Sequence, residues 1–368
     1  SVVSIISNII YLCKYNVLSS GTLGFYKNLK KKNSTLLTTP EKEDLYQFAY
    51  SSSPYFPEFI FEVSSHGISK NRIRELPINI AALTNISQDH LDYHKTIENY
   101  KNTKFKLFTK FLINKGVAIL NDNVEGINSL KRELFKNEKK VISYGKKISD
   151  VNCTVFTKGK IRVKIYKKYH LIKYNIVSKF ELENLSCSIA CCLAIGINIT
   201  KMKKIFHKIK KIEGRMELAG CLYNGSKIYV DYAHTPDALK NVLNSNIYNK
   251  KKPDLVFGCG GDRDKSKRIK MGRIANDFSN KIYITDDNPR KENPKIIRKN
   301  ILAGCKKGIE IEGRKDAIKK AIYNLKSNSI LIIAGKGHEK KQIFFNKSTP
   351  FDDVKIAKFF INKINQNA

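Results

Sequence analysis

Apolar and polar residues change their spacing several times along this chain, and each change marks a different kind of element. Residues 1–13 carry Val, Ile and Leu at helical spacing and predict a helix. "FIFEVSS" (59–65), "NIAALTN" (79–85) and "GVAILN" (116–121) are short, nearly continuous apolar runs, the pattern of strands buried within a parallel sheet. Residues 151–178 instead alternate apolar and charged positions, which predicts an antiparallel ribbon turning near Lys158 to Lys160. "ENLSCSIACCLAIGI" and "TKMKKIFHKI" follow as a helical pair. A second rhythm begins at "EGRMELAG" (213–220). "KIYVDYAH", "DLVFGCGGDRDK", "NKIYITDDNPR" and "SILIIAGKGHE" each end a strand in a polar, often Gly-rich turn, with helical stretches between. The pattern predicts two α/β domains, residues 1–212 and 213–368. The second carries its functional turns along one sheet edge, where open α/β sheets place their ligands. No internal repeat or low-complexity linker is visible.

Composition narrows this picture. A chain of 368 residues with 42% hydrophobic residues is large enough for more than one core. No apolar run approaches the roughly 18 residues of a membrane span, and the opening stretch is interrupted by Ser4, Ser7, Asn8 and Lys14. With neither a basic start nor a small-residue cleavage site, a cytosolic protein without membrane insertion is expected. Eight cysteines lie without a CxxC pair, and read as small buried residues of a reducing compartment. Cys191 and Cys192 fit a packed helix. The net charge of +35 raises nucleic acid as a partner. However, the lysines are spread over the whole chain among abundant Ile, Asn, Tyr and Phe, as an AT-rich coding sequence produces, and no nucleic-acid motif appears. No nucleic-acid partner is expected; a basic surface still favours an anionic small substrate.

Several turns carry candidate chemistry. "TNISQDHLDYH" (84–94) gathers two of the seven histidines with two carboxylates directly after an apolar run, at the end of an expected strand. "GCGGDRDK" (258–265) offers glycines that let backbone approach a ligand and Arg263 as a fork of donors. "AGKGHE" (334–339) crowds Lys336, His338 and Glu339 into one turn. Each of these alone also reads as a solvated loop, and "DDNPR" (286–290) alone as a simple turn.

Their order is more telling. "EVSSH" (62–66), "TNISQDHLDYH", "ENYKNTKFKLF" (98–108), "GRME" (214–217), "YVDYAHTPDAL" (229–239), "FGCGGDRDKSKR" (257–268), "TDDNPR" (285–290) and "AGKGHE" together closely resemble the Mur ligases, from Ser1 to about Val354. The likeness is strongest to members that add the third residue of the peptidoglycan stem peptide. It implies a central ATPase-type doubly wound α/β domain followed by a Rossmann-like C-terminal α/β domain. The implied activity is an ATP-dependent amide ligase acting on UDP-MurNAc-L-Ala-D-Glu through an acyl phosphate, with meso-diaminopimelate as the incoming amine.

The resemblance also assigns residues. Glu62 and His90 match the family's Mg²⁺ ligands, a small set suited to an ion that keeps phosphate oxygens in its shell. A zinc site of Asp89, His90 and His94 is the rival reading. Otherwise Asp89, Asp92 and His94 orient the turn and cap the following helix. Lys104 matches the lysine that the family carbamylates. Thr38, Thr39, Ser64 and Arg72 match contacts to the nucleotide-sugar dipeptide, with Lys70 where many relatives have glutamine. Asn184, Arg215 and Asp231 match ATP contacts, while Glu181 replaces an asparagine usual near the adenine. Arg263, Asp287, Asn288, Arg290, Gly335 and Glu339 match the diaminopimelate set. Arg290 favours that substrate over lysine, because its fork suits a distal carboxylate that lysine lacks.

The same resemblance places the family's phosphate loop, of the form GTNGKT, just before Ser1, and an amino-terminal uridine-nucleotide domain before that. The expectation is therefore that these 368 residues alone have little or no ligase activity and that the full-length gene product, expected to be a monomer, is the ligase. Alternatives are a lysine-adding Mur ligase, a folylpolyglutamate synthetase-like ligase, or a decayed, non-catalytic basic protein.

Overall fold

A computed structural model describes the chain except for residues 36, 53–54, 56–57, 87–90, 177, 245–250, 346 and 367–368. The described residues divide into two compact units, one drawn from residues 1–210 and the other formed mainly by residues 211–368.

The first unit opens with a helix, Val2–Leu12, whose Ile5, Ile6, Ile9 and Ile10 form one buried stripe. Strands β1 (Val17–Gly21), β2 (Gly24–Lys27), β3 (Lys30–Asn33) and β4 (Glu58–Phe61) make a four-stranded sheet of order β3-β2-β1-β4. In it β1 runs parallel to β4 and antiparallel to β2. Strands β5 (Ile78–Leu83), β6 (Leu112–Asn121), β7 (Lys140–Tyr144), β8 (Val151–Thr157), β9 (Lys160–Ile165) and β10 (Lys168–Lys173) form a second sheet in the order β10-β9-β8-β7-β6-β5. From β5 to β8 the pairing is parallel, and from β8 to β10 antiparallel. The alternating stretch is thus a three-stranded meander with a second turn at Tyr166–Lys167, not a ribbon with one turn. Charges at every second position let each strand bury one face and hydrate the other: in β9, Ile161 and Val163 are buried while Lys160 and Arg162 face solvent.

"FIFEVSS" also differs from its expected form. The strand stops at Phe61 because the Ser64 side chain accepts from the Gly67 backbone N–H and starts a short helix, Ser65–Ser69. Cys191 and Cys192 are buried on the helix Lys179–Ile195 as expected. All eight cysteines are unbridged, but Cys221 is exposed and Cys13 half-buried, so burial describes only six of them.

The second unit is built on one six-stranded sheet. Its strands are β11 (Glu217–Cys221), β12 (Lys227–Asp231), β13 (Asp254–Phe257), β14 (Ile282–Ile284), β15 (Gly308–Glu310) and β16 (Ile330–Ala334), ordered β11-β12-β16-β13-β14-β15. Only β11 is antiparallel. The central strands are mostly apolar, as strands covered on both faces are; Leu255, Val256, Ile282, Ile284, Leu331 and Ile333 are fully buried. Helices start where the chain has an oxygen-bearing cap followed by proline: Thr235 before Pro236, and Asn293 before Pro294. A hairpin, β17 (Lys341–Phe344) and β18 (Lys347–Pro350), precedes the final helix, Asp353–Gln366. Since β12, β13, β14 and β16 are mutually parallel, the four polar turns that follow them lie at one edge of the sheet.

Candidate active site

In the first unit, β1 and β4 end side by side, and two motif residues meet there. The Glu62 Oε2 accepts from the Thr22 backbone N–H at 2.9 Å and from its hydroxyl at 2.8 Å. Thr22 Oγ1 lies 3.3 Å from Thr38 Oγ1. Thr39 sits beneath: it accepts from the Ser64 N–H at 2.8 Å, and its hydroxyl lies within 3.0 Å of the Glu62 carbonyl and 3.1 Å of Ser64 Oγ. Arg72, almost wholly buried, donates to the Thr39 carbonyl at 3.1 Å and pairs with Glu41 at 3.0 Å. The structure therefore brings Thr38, Thr39, Glu62, Ser64 and Arg72 into one network. At Gly21 a Cβ would stand 2.6 Å from the Glu62 carboxyl carbon, so a larger residue would displace the Glu62 side chain. Thr22 and Glu41 were missed by the sequence reading; isolated Thr and Glu residues outside the motifs carry no signal.

Lys104 lies on the helix Ile97–Lys106, donates to the Asn85 carbonyl at 3.0 Å and crosses the Tyr100 ring at 4.7 Å. It thus reaches the segment that leads to His90. His90 and Asp89 lie outside the described residues, as does the Asp92 side chain. His94 is buried, with Nε2 at 2.9 Å from Ser65 Oγ and its ring against those of His66 and Tyr100. It serves packing between helices, which counts against the zinc set. Thr96 caps the helix Ile97–Lys106, its side chain accepting from the Asn99 N–H; the start of the preceding helix, Leu91–His94, where Asp89 was expected as a cap, borders residues outside those described.

Asn184 is half-buried on the helix Lys179–Ile195. Its neighbour Glu183 accepts from Asn123 at 3.3 Å and, at 3.5 Å, from Asn121, tying that helix to the end of β6. Glu181, the departure from the family pattern, accepts from the Tyr174 hydroxyl at 3.0 Å and so has a structural partner.

In the second unit, Asp231 ends β12 fully buried; its carboxylate accepts from the N–H of Met216 at 2.7 Å and of Ala233 at 2.8 Å. Burial pushes its pKa up, while nearby Arg215 and the two N–H donors pull it down. The Arg215 guanidinium stacks on the Tyr232 ring at 4.4 Å, and the rings of His234 and His338 flank that tyrosine at 4.5 and 4.9 Å. Burial, then the nearby Glu339 charge, pushes the Tyr232 phenol up to about 12, against the opposing pull of Arg215. Asp287 and Arg263 act on the same phenol. Tyr232 thus joins the residues expected for ATP to those expected for the amino acid, and was not singled out from the sequence.

Five of the six residues expected for diaminopimelate lie on the turns after β14 and β16. The Asn288 amide donates to Glu339 Oε2 at 2.8 Å, and its Oδ1 accepts from Ile343 N–H at 3.1 Å. Arg290 Nη1 donates to the Gly261 carbonyl at 2.8 Å. Its backbone is held at φ +53 by bonds from its N–H to Ile343 O and from Phe345 N–H to its own carbonyl, a conformation non-glycine residues rarely adopt unless the surroundings enforce it. Gly335, at φ +116, leaves room for Asp287: a Cβ would lie 2.6 Å from its Oδ2. Asp287 and Asn288 are buried, whereas Arg263 is exposed on the loop after β13. Hairpin strand β17 therefore braces the "DNPR" turn, an arrangement invisible to local pattern.

The family model for the Mur ligase middle domain matches residues 1–192, and that for the Mur ligase, glutamate ligase domain matches residues 214–337. The chain belongs to the Mur ligase family. This Mur ligase is 40% identical to the UDP-N-acetylmuramoyl-L-alanyl-D-glutamate–2,6-diaminopimelate ligase of Rickettsia typhi, over 98% of its own length and 75% of the relative's. It is also 40% identical to the protein of the same name from Buchnera aphidicola, over 94% and 70% of the two chains. A solved structure bearing that name superposes with a TM-score of 0.66 at 28% identity, covering the whole of this Mur ligase and 77% of the other chain. A MurF ligase from Thermotoga maritima in complex with ADP shares the fold, with a TM-score of 0.67 at 15% identity, over 100% and 78% of the two chains. Among the described residues no helix is long and apolar enough to cross a membrane.

Proposed function

We propose that this Mur ligase is the ATP-dependent enzyme that joins meso-diaminopimelate to UDP-MurNAc-L-Ala-D-Glu in the cytoplasm. The observation that carries the reading is the convergence of Asp287, Asn288, Arg290, Gly335 and Glu339 on neighbouring turns, with the Arg290 fork anchored on the Gly261 carbonyl and Glu339 held by Asn288. That combination suits an amino acid carrying both a carboxylate and an ammonium at its far end. The shared printed name of the 40% identical relatives supports it.

In the proposed reaction the dipeptide's free carboxylate takes the γ-phosphoryl group of ATP, releasing ADP and giving an acyl phosphate. The amine nitrogen then attacks the acyl carbon; the C–N bond forms, the C–O bond to phosphate breaks, a proton is lost and inorganic phosphate leaves. The chain's part is to place three reactants in line and balance their charge. Thr38, Thr39, Ser64 and Arg72 would hold the nucleotide-sugar dipeptide, and Asn184, Arg215 and Asp231 the nucleotide. Arg263 would bind a carboxylate from its exposed loop. Lys104, as a carbamate, would add a negative charge beside the metal. Glu62 and His90 would hold Mg²⁺, a carboxylate being the hard donor this ion prefers; Thr22 fixes the Glu62 Oε2 by two donors. Bound there, Mg²⁺ would neutralise phosphate charge.

ADP release by the full-length gene product, with UDP-MurNAc-L-Ala-D-Glu and either meso-diaminopimelate or L-lysine, tests the reading. Turnover with diaminopimelate alone is expected, and turnover with lysine alone would overturn it. The metal assignment has its own test. Thr22→Val removes one of two donors to Glu62 Oε2 and is expected to raise the Mg²⁺ concentration for half-maximal turnover about tenfold; an unchanged Mg²⁺ requirement would take Glu62 out of the metal set.

A further inference from the structure

Lys336 is fully buried, and a buried ammonium must satisfy its donors within the protein. Its Nζ donates to Asn288 Oδ1 at 3.0 Å, to Glu339 Oε2 at 3.0 Å and to the Lys341 carbonyl at 2.6 Å. These three acceptors belong to the turn after β14, the turn after β16 and the start of β17. One cation therefore fastens all three segments that frame the amino-acid set.

The geometry has a directional consequence. Asn288 Oδ1 receives both Lys336 Nζ and the Ile343 N–H, so the amide must present its NH₂ to Glu339. Glu339 Oε2 is then shared by Asn288 and Lys336, which leaves Oε1, on a side chain 32% exposed, as the acceptor for an incoming ammonium. We propose that Lys336 is a positioning residue for the amino-acid substrate: it fixes the amide orientation of Asn288 and aims the second carboxylate oxygen of Glu339 at the substrate's ammonium. This rests on the ligase reading above and assigns Lys336 no contact with the reacting atoms.

The test is steady-state kinetics of the full-length gene product carrying Lys336→Met, which keeps the side chain's length and removes the cation, and Lys336→Gln, which restores a neutral donor. Removing a charged hydrogen-bond donor from buried partners is expected to raise KM for meso-diaminopimelate roughly 10- to 100-fold. KM for ATP and for UDP-MurNAc-L-Ala-D-Glu should stay within about twofold, with Lys336→Gln intermediate for diaminopimelate. A parallel rise in all three KM values, or a loss confined to kcat, would overturn the proposal, as would an unchanged diaminopimelate KM. If Lys336→Met fails to fold, as shown by its melting curve, Lys336→Gln is read by the same criteria. Wild-type protein that turns over no amino acid would sink the ligase reading itself, whereas an active wild type with unaffected variants would sink only the role of Lys336.

Discussion

Arg290→Lys is expected to lower kcat/KM for meso-diaminopimelate about 100-fold, the scale on which truncating one partner of a charged hydrogen-bonded pair acts, while leaving KM for ATP unchanged. The substitution keeps the positive charge and the same backbone demand, so it isolates the fork. In the native site Nη1 is anchored on the Gly261 carbonyl at 2.8 Å, which fixes the guanidinium plane and leaves its remaining donors for a carboxylate. The approach is close: a Cβ on Gly260 would lie 2.9 Å from Nη1. Lysine offers a point charge on a flexible stem and cannot both hold Gly261 and grip a carboxylate with two parallel bonds. Initial-rate measurements over a range of diaminopimelate concentrations read the effect directly. Full activity in Arg290→Lys would show that the distal carboxylate is bound elsewhere, and the preference for diaminopimelate over lysine would lose its basis.

The largest stability effect is expected at Asp353. Arg314 and Asp353 are both fully buried and joined by two bonds, Nε to Oδ1 at 2.8 Å and Nη2 to Oδ2 at 2.7 Å. Arg314 also donates to the carbonyl of Ala334, the last residue of β16 before the Gly335 turn. Its Nη1 has no partner among the described residues, so the site tolerates little further loss. Asp353→Ala would leave a guanidinium in the core without its anion, at a cost of about 3–5 kcal/mol. Replacing both, as Arg314→Met with Asp353→Leu, should recover most of that, because no buried charge remains. Urea unfolding of the three proteins checks this. A cost below about 1 kcal/mol for Asp353→Ala would mean that water reaches the pair and screens it.

Not all of this was equally visible along the chain. The alternation of "KIRVKI" and the solid apolar run of "ILIIA" follow from period two and from double-sided burial, both local properties. The meander's second turn went unseen because Tyr166 and Lys167 form it without Gly, Pro or Asn, the residues that announce turns. Thr22 and Tyr232 owe their places to partners 40 residues away and to stacked rings, respectively, which no window of the chain reports. Lys336 was noticed only as one of three polar residues in a crowded turn. In a chain with 68 Lys and Arg residues, a buried lysine looks like any other until its surroundings are known.

By itself, the sequence determined the α/β class, the rhythm of strands ending in polar turns, and the chemistry available in each turn. It could do so because side-chain period and turn preference are set by neighbours a few residues apart. Only the tertiary structure decided which of those turns act together. Parallel pairing of β12, β13, β14 and β16 puts their ends on one edge, and hairpin strand β17 then holds Arg290 in its left-handed backbone conformation. The charge balance of the site was decided there too, since Lys336 acquires its role from acceptors 48 and 3 residues away that the fold brings to within 3.0 Å.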